Sequence, residues 1–156
     1  HHGHHAHEAT RGVPNAAHAN HPILMGVDPI WAPSDVYTAH PPIDAEVLVD
    51  GHVLTGMNPS DPEKPDTPTM PVAWIRQPNA PTGTGRIFCS TMGASIDLKD
   101  PSLRRLIVNG IYWCMGMEGD ISLTRSVDPV GRFNPSFFGF SHDPTGKFPA
   151  DYFTCL

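Results

Sequence analysis

The chain has 156 residues, 39% of them hydrophobic, and a formal net charge of −6 with histidine neutral. That suffices for one domain with a modest core, and the scattered lysines and arginines argue against a nucleic-acid partner. No apolar run approaches the roughly 18 residues that cross a bilayer, so the piece is expected to be soluble, with no membrane partner.

The 14 glycines and 18 prolines point to a loop-rich domain short of low complexity. Residues 1–20 are rich in histidine and show little apolar periodicity, and residues 21–44 read as proline-rich ordered loop anchored by Ile23, Leu24, Ile30, Trp31, Val36 and Tyr37. The β-branched stretch Ala45–Leu54 predicts a strand, or a hairpin turning at Asp50-Gly51. Residues 55–70 predict an exposed loop, Pro71–Gln77 a second strand, Pro78–Gly85 a turn with Gly83, and Arg86–Thr91 a third strand.

A helix is predicted from Pro101, with Asp100 as N-cap and proline at the first helical position. Leu103, Leu106, Ile107, Ile111 and Cys114 fall on one face of a 3.6-residue period, and Gly116 and Gly119 offer stops. Beyond Gly119 the pattern dissolves into a Gly/Pro-rich tail studded with Phe133, Phe137, Phe138, Phe140, Phe148 and Phe153. Aromatic burial is expected to pin that tail, residues 119–156, on the domain formed by residues 1–118. The cysteines lack C-x-x-C spacing; Cys89 and Cys114 read as small core residues and Cys155 as a free thiol.

Strand, glycine turn and amphipathic helix make one unit of an α/β sheet, in which ligands gather at the carboxyl ends of strands. That places Ser90–Ser95 near any site. No nucleophile elbow surrounds Cys89 or Ser95, and Gly83-Thr84-Gly85 lacks the lysine and helix of a phosphate loop.

Several segments in order resemble the ThuA-like (trehalose-utilisation) family. They are His21-Pro22-Ile23 with Gly26-Val27; Asp35-Val36-Tyr37; Pro71-Val72-Ala73-Trp74 with Arg76; Gly85-Arg86-Ile87-Phe88 followed by Thr91-Met92-Gly93; and Leu106 to Gly116 through Asn109-Gly110-Ile111-Tyr112-Trp113. The resemblance implies an α/β fold similar to class I glutamine amidotransferases, a flavodoxin-like three-layer sandwich of which this chain is the C-terminal portion. It also implies a place in the catabolism of trehalose-like disaccharides or keto-sugars. Fold analogy alone gives no reaction, so whether the chain is an enzyme stays open. Where many relatives carry histidine after the strand-end glycine, this chain has Ala94.

For sugar chemistry next to a carbonyl, His4 or His5 is the candidate base, Arg11 or Arg76 the polarising donor, and Asp35 the supporting carboxylate. Asp35 also reads as a turn or cap residue, and Arg76 as a surface cation. Trp31 could stack on a sugar ring and Tyr37 donate to a hydroxyl, with Met92, Gly93 and Ser95 at the strand end. His2, His4, His5 and His7, with His1, form a run whose imidazoles could hold a divalent metal such as zinc. Two other readings stand beside the enzyme: a non-catalytic carbohydrate-binding or interaction domain, and a metal-binding protein. The expected partner is a small sugar. Self-association, and cytoplasmic against periplasmic location, are left open.

Overall fold

The computed structural model describes residues 2–78, 85–137, 145–146 and 148–152. His1, Gly83, Thr84, Phe138, Phe140, Phe153 and Cys155 lie outside the described residues. Five strands and one α-helix carry the fold: β1 (Thr10–Pro14), β2 (Ile30–Ala32), β3 (Glu46–Val53), β4 (Met70–Arg76), β5 (Ile87–Ser90) and α1 (Pro101–Cys114). They form a sheet of order β2-β1-β3-β4-β5. The loop-rich α/β class expected from the sequence is the class observed. Within it, every pairing among the described strands is antiparallel. The unit of strand, glycine turn and helix survives at β5 and α1. Among the described residues, no helix is long and apolar enough to cross a membrane.

Two strands fall where the sequence offered no periodicity. β1 is short and spends inward positions on Thr10 and Gly12, and β2 has only three residues between prolines. The longer β3 supplies a template for β1, and β1 in turn for the edge strand β2: Thr10 pairs with Val53 on one side and Ala32 on the other. β3 itself runs through Asp50-Gly51, so the hairpin alternative is discarded. Gly51 sits there for space: a Cβ would lie 2.3 Å from Val72 Cγ1 on β4.

The core gathers Ile23, Ile30, Val36, Leu48, Val49, Val53 and Val72 with Leu103 and Leu106 of α1. Helix α1 begins as expected: the Asp100 carboxylate accepts the Leu103 amide at 3.0 Å, and Pro101 follows. It ends in a Schellman closure, with Gly116 at φ 72° and amide bonds from Gly116 to Trp113 O and from Met117 to Tyr112 O. Its buried face differs from the predicted one. Leu103, Leu106, Asn109, Gly110 and Trp113 point inward, while Ile111 and Cys114 are exposed and Ile107 is only partly buried. Gly110 causes this turn of the face. A Cβ there would lie 2.7 Å from the Phe88 ring, so only glycine lets the helix approach β5 along that line. Cys89 is half-buried rather than a core residue.

Among the described residues, the tail is not held by phenylalanine burial: Phe133, Phe137 and Phe148 are exposed. Arginines of α1 hold it instead, through Arg104 Nε to Val127 O at 2.7 Å and Arg105 to the carbonyls of Ser122 and Arg125.

Candidate functional site

The N-terminal segment and the chain leaving β2 lie antiparallel. The His2 amide donates to Val36 O at 2.6 Å, and the His2 ring meets Thr38 Oγ1 at 3.0 Å. After Gly3 the chain turns tightly, with the amides of His7 and Glu8 both donating to His4 O and Ala6 in the left-handed region. This turn sets His5 beside Asp35, with Nδ1 4.0 Å from Oδ1. The Asp35 side chain is 5% exposed and that of His5 is 29% exposed. The Phe137 ring meets the imidazole edge-on, centroids 5.9 Å apart. A shielded carboxylate facing one ring nitrogen biases the orientation of an imidazole.

Behind the pair stands Asp97, fully buried. Its carboxylate accepts four hydrogen bonds: from Ser34 N at 3.2 Å, Ser34 Oγ at 2.6 Å, Gly93 N at 3.3 Å and Ala94 N at 3.1 Å. Thr10 Oγ1 donates to Ser34 O at 2.6 Å. Asp97 therefore ties the strand-end turn to Ser34, one residue before Asp35, and the amides of that turn are already engaged. Gly93 N–H and Ala94 N–H cannot serve a substrate oxygen while Asp97 holds them. Gly93, at φ 139°, still borders open space. Ser95 Oγ donates to Ser136 O and so braces the tail. Met92 is 7% exposed and packs against Gly12, which makes it a core residue and not a substrate contact.

Other candidates stand elsewhere. Arg76 pairs in register with Ile87, at the opposite end of the sheet from Thr10 and Ala32, and binds Asp44 at 2.7 Å. It does not reach the His5–Asp35 pair. Arg11 Nη2 donates to Pro59 O and Asp61 O and Nη1 faces Glu63, so this guanidinium fastens the 55–64 loop. Trp31 lies across from Arg11, half-buried, with Nε1 shielded and lacking a hydrogen-bond partner among the described residues. That burial leaves a poorer stacking platform than the loop position suggested. Tyr37 is 49% exposed, two residues from Asp35. The histidines turn to separate partners: His2 to Thr38, His5 to Asp35, and His4 to His7 edge-on at 5.0 Å. Among the described residues, no three His, Cys, Asp or Glu side chains gather as a ligand set.

Sequence reasoning missed Asp97, Ser34 and Thr10. The only local signal was Asp97 lying three residues before the helix cap Asp100, whose Oδ2 also accepts Trp31 N at 3.1 Å.

The motif residues His21, Arg86, Asn109, Gly110 and Trp113 build scaffold at the other end of the sheet. Asn109 Nδ2 donates to Ile23 O and Met25 O, both at 3.0 Å. Trp113 lies between the His21 ring at 5.5 Å and the Arg86 guanidinium at 5.0 Å. Arg86 also pairs with Glu118 at 2.7 Å, which pulls that carboxyl from 4.5 down to about 2. Burial pushes His21 below its ordinary 6.5, against the opposing pull of Glu46. Both folded values are depressed, so both contributions are full above the unfolded values and fade as pH falls. Thermal melts should show stability declining below pH 6.5 through His21 and again between 4.5 and about 2 through Glu118. Glu118→Gln should be less stable than wild type above pH 4.5, with the gap closing towards pH 2. A gap that stays constant across that range would refute the assignment.

The fold and the site define a loop-rich α/β domain with a His–Asp pair beside a strand-end turn. Residues 1–114 match the family model for ThuA, trehalose utilisation, and the chain belongs to that family. At family level this is a domain of carbohydrate metabolism. No curated protein and no solved structure matches the chain.

Proposed function

We propose that the domain acts on a sugar, a trehalose-like disaccharide or its keto derivative, by acid/base chemistry. His5 is the base and Asp35 its supporting carboxylate. The observation that carries this reading is the His5 Nδ1 to Asp35 Oδ1 approach of 4.0 Å, with the carboxylate shielded and the imidazole partly exposed. Nε2, the ring nitrogen other than the one facing Asp35, is taken as the base. In a keto-sugar, the carbon beside the carbonyl carries an acidified proton. Nε2 takes that proton as the C–H electron pair moves onto the carbonyl oxygen to give an enolate, Asp35 faces the imidazolium so formed, and the imidazolium returns the proton to the enolate to give the product. Tyr37, exposed and two residues from Asp35, is the candidate donor to a sugar hydroxyl.

A second reading is a carbohydrate-binding domain without chemistry. The engagement of Gly93 N–H and Ala94 N–H by Asp97 favours it, because a developing oxyanion finds no free amide there. Calorimetry with trehalose and 3-keto-trehalose, with and without EDTA, tests both. Binding of the keto-sugar that His5→Ala weakens at least tenfold supports the site. Loss of binding in EDTA would bring a metal at His2, His4, His5 and His7 into the account. No binding of either sugar under any condition would sink the sugar site for these ligands.

A further inference from the structure

We propose that Asp97, acting through Ser34, is a positioning residue that holds Asp35 against His5; this inference rests on the reading of that pair as the reacting group. Ser34 is fixed at every polar atom: its amide and hydroxyl donate to Asp97, and its carbonyl accepts from Thr10 Oγ1. Asp35 follows directly. On its other side, Val36 O accepts the His2 amide. Asp35 therefore stands between two anchored neighbours, which leaves its backbone little freedom to re-aim the carboxylate. The same His2 anchor begins the segment that delivers His5, so both members of the pair are referenced to one short stretch of chain.

Asp97 does more than close a turn. Its carboxylate also binds the amides of Gly93 and Ala94, coupling the strand-end surface beside Gly93 to the position of Asp35. Three residues on, Asp100 accepts Trp31 N while capping α1 through Leu103 N. The segment from Trp31 to Ser34 is thus stapled at both ends to the entry of the helix. A buried carboxylate used only for stability needs no link to the site. This one has two of its four bonds on the residue next to Asp35.

The test compares Ser34→Ala, which removes the hydroxyl link, with Ser34→Thr, which keeps it. The His5 ring-proton resonances are recorded by NMR at fixed pH, well below the melting transition. Ser34→Ala should shift the His5 resonances, leave those of His52 (on β3, beside Glu63 of the following loop) in place, and lower keto-sugar kcat about tenfold with KM unchanged. Ser34→Thr should return the resonances to the wild-type positions. In Ser34→Ala/Asp35→Asn, kcat should be no lower than in Asp35→Asn alone, because both changes act on one unit. Unmoved His5 resonances in a Ser34→Ala protein that merely melts earlier would overturn the proposal. If the wild type turns over no keto-sugar, the acid/base reading falls, and the resonances by themselves decide whether Asp97 positions the pair.

Discussion

Asp97→Ala should lower the free energy of unfolding by about 3–5 kcal/mol, which for a chain of this length is a melting-temperature loss on the order of 10 °C. The buried carboxylate is the acceptor for three amides and one hydroxyl. Removing it leaves those donors without their partner in a region where Ser34 is almost fully buried. Each stranded donor costs roughly 1–3 kcal/mol, less where water can enter beside the open Gly93. Asp97→Asn should fall between wild type and alanine, because a carboxamide turns one of its two acceptor atoms into a donor facing other donors. Denaturant titration decides: a shift of midpoint with constant slope is expected, and a loss below about 1 kcal/mol would show that the four bonds contribute little net stability.

Asp35→Asn should reduce keto-sugar kcat/KM by about 10²–10⁴, mostly in kcat, with a melting temperature close to that of wild type. Asparagine fills nearly the same volume in that shielded position, so packing is preserved. What it removes is the negative charge facing the His5 ring, which the proposed acid/base chemistry requires. Full turnover in the variant would show that Asp35 is a turn residue and that the chemistry lies elsewhere. Binding retained in a wild type without turnover would leave the carbohydrate-binding reading standing.

The helix illustrates how far local rules reach. Its start was readable because Asp100 and Pro101 satisfy requirements set within one turn of backbone, and its end because Gly116 supplies the left-handed residue that a closure needs. Its buried face was misread because that face depends on what the helix meets. Periodicity selected Ile111 and Cys114; the Phe88 ring selected Gly110, and Trp113 turned inward with it. Strand β3 follows the same logic. Asp50-Gly51 has the chemistry of a turn, yet the glycine serves the close approach of Val72.

The site divides in the same way. His5 and Asp35 could be chosen from residue type alone, but so could Arg11, Arg76 and Trp31, which share their chemistry and not their place. Asp35 lies thirty positions after His5, and no local pattern says which cation or aromatic will join them. The pairing of His2 with Val36 and the antiparallel register of β1, β2 and β3 make that decision. The sequence by itself determined the family, the loop-rich α/β class and the positions of β3, β4, β5 and α1, because these rest on order, composition and short-range backbone preference. Only the tertiary structure decided that Arg76 stands at the far end of the sheet and that Asp97 fills the amides of Gly93 and Ala94. Those outcomes depend on strand register and on which buried donor finds which acceptor, and both are settled by contacts between residues distant in the chain.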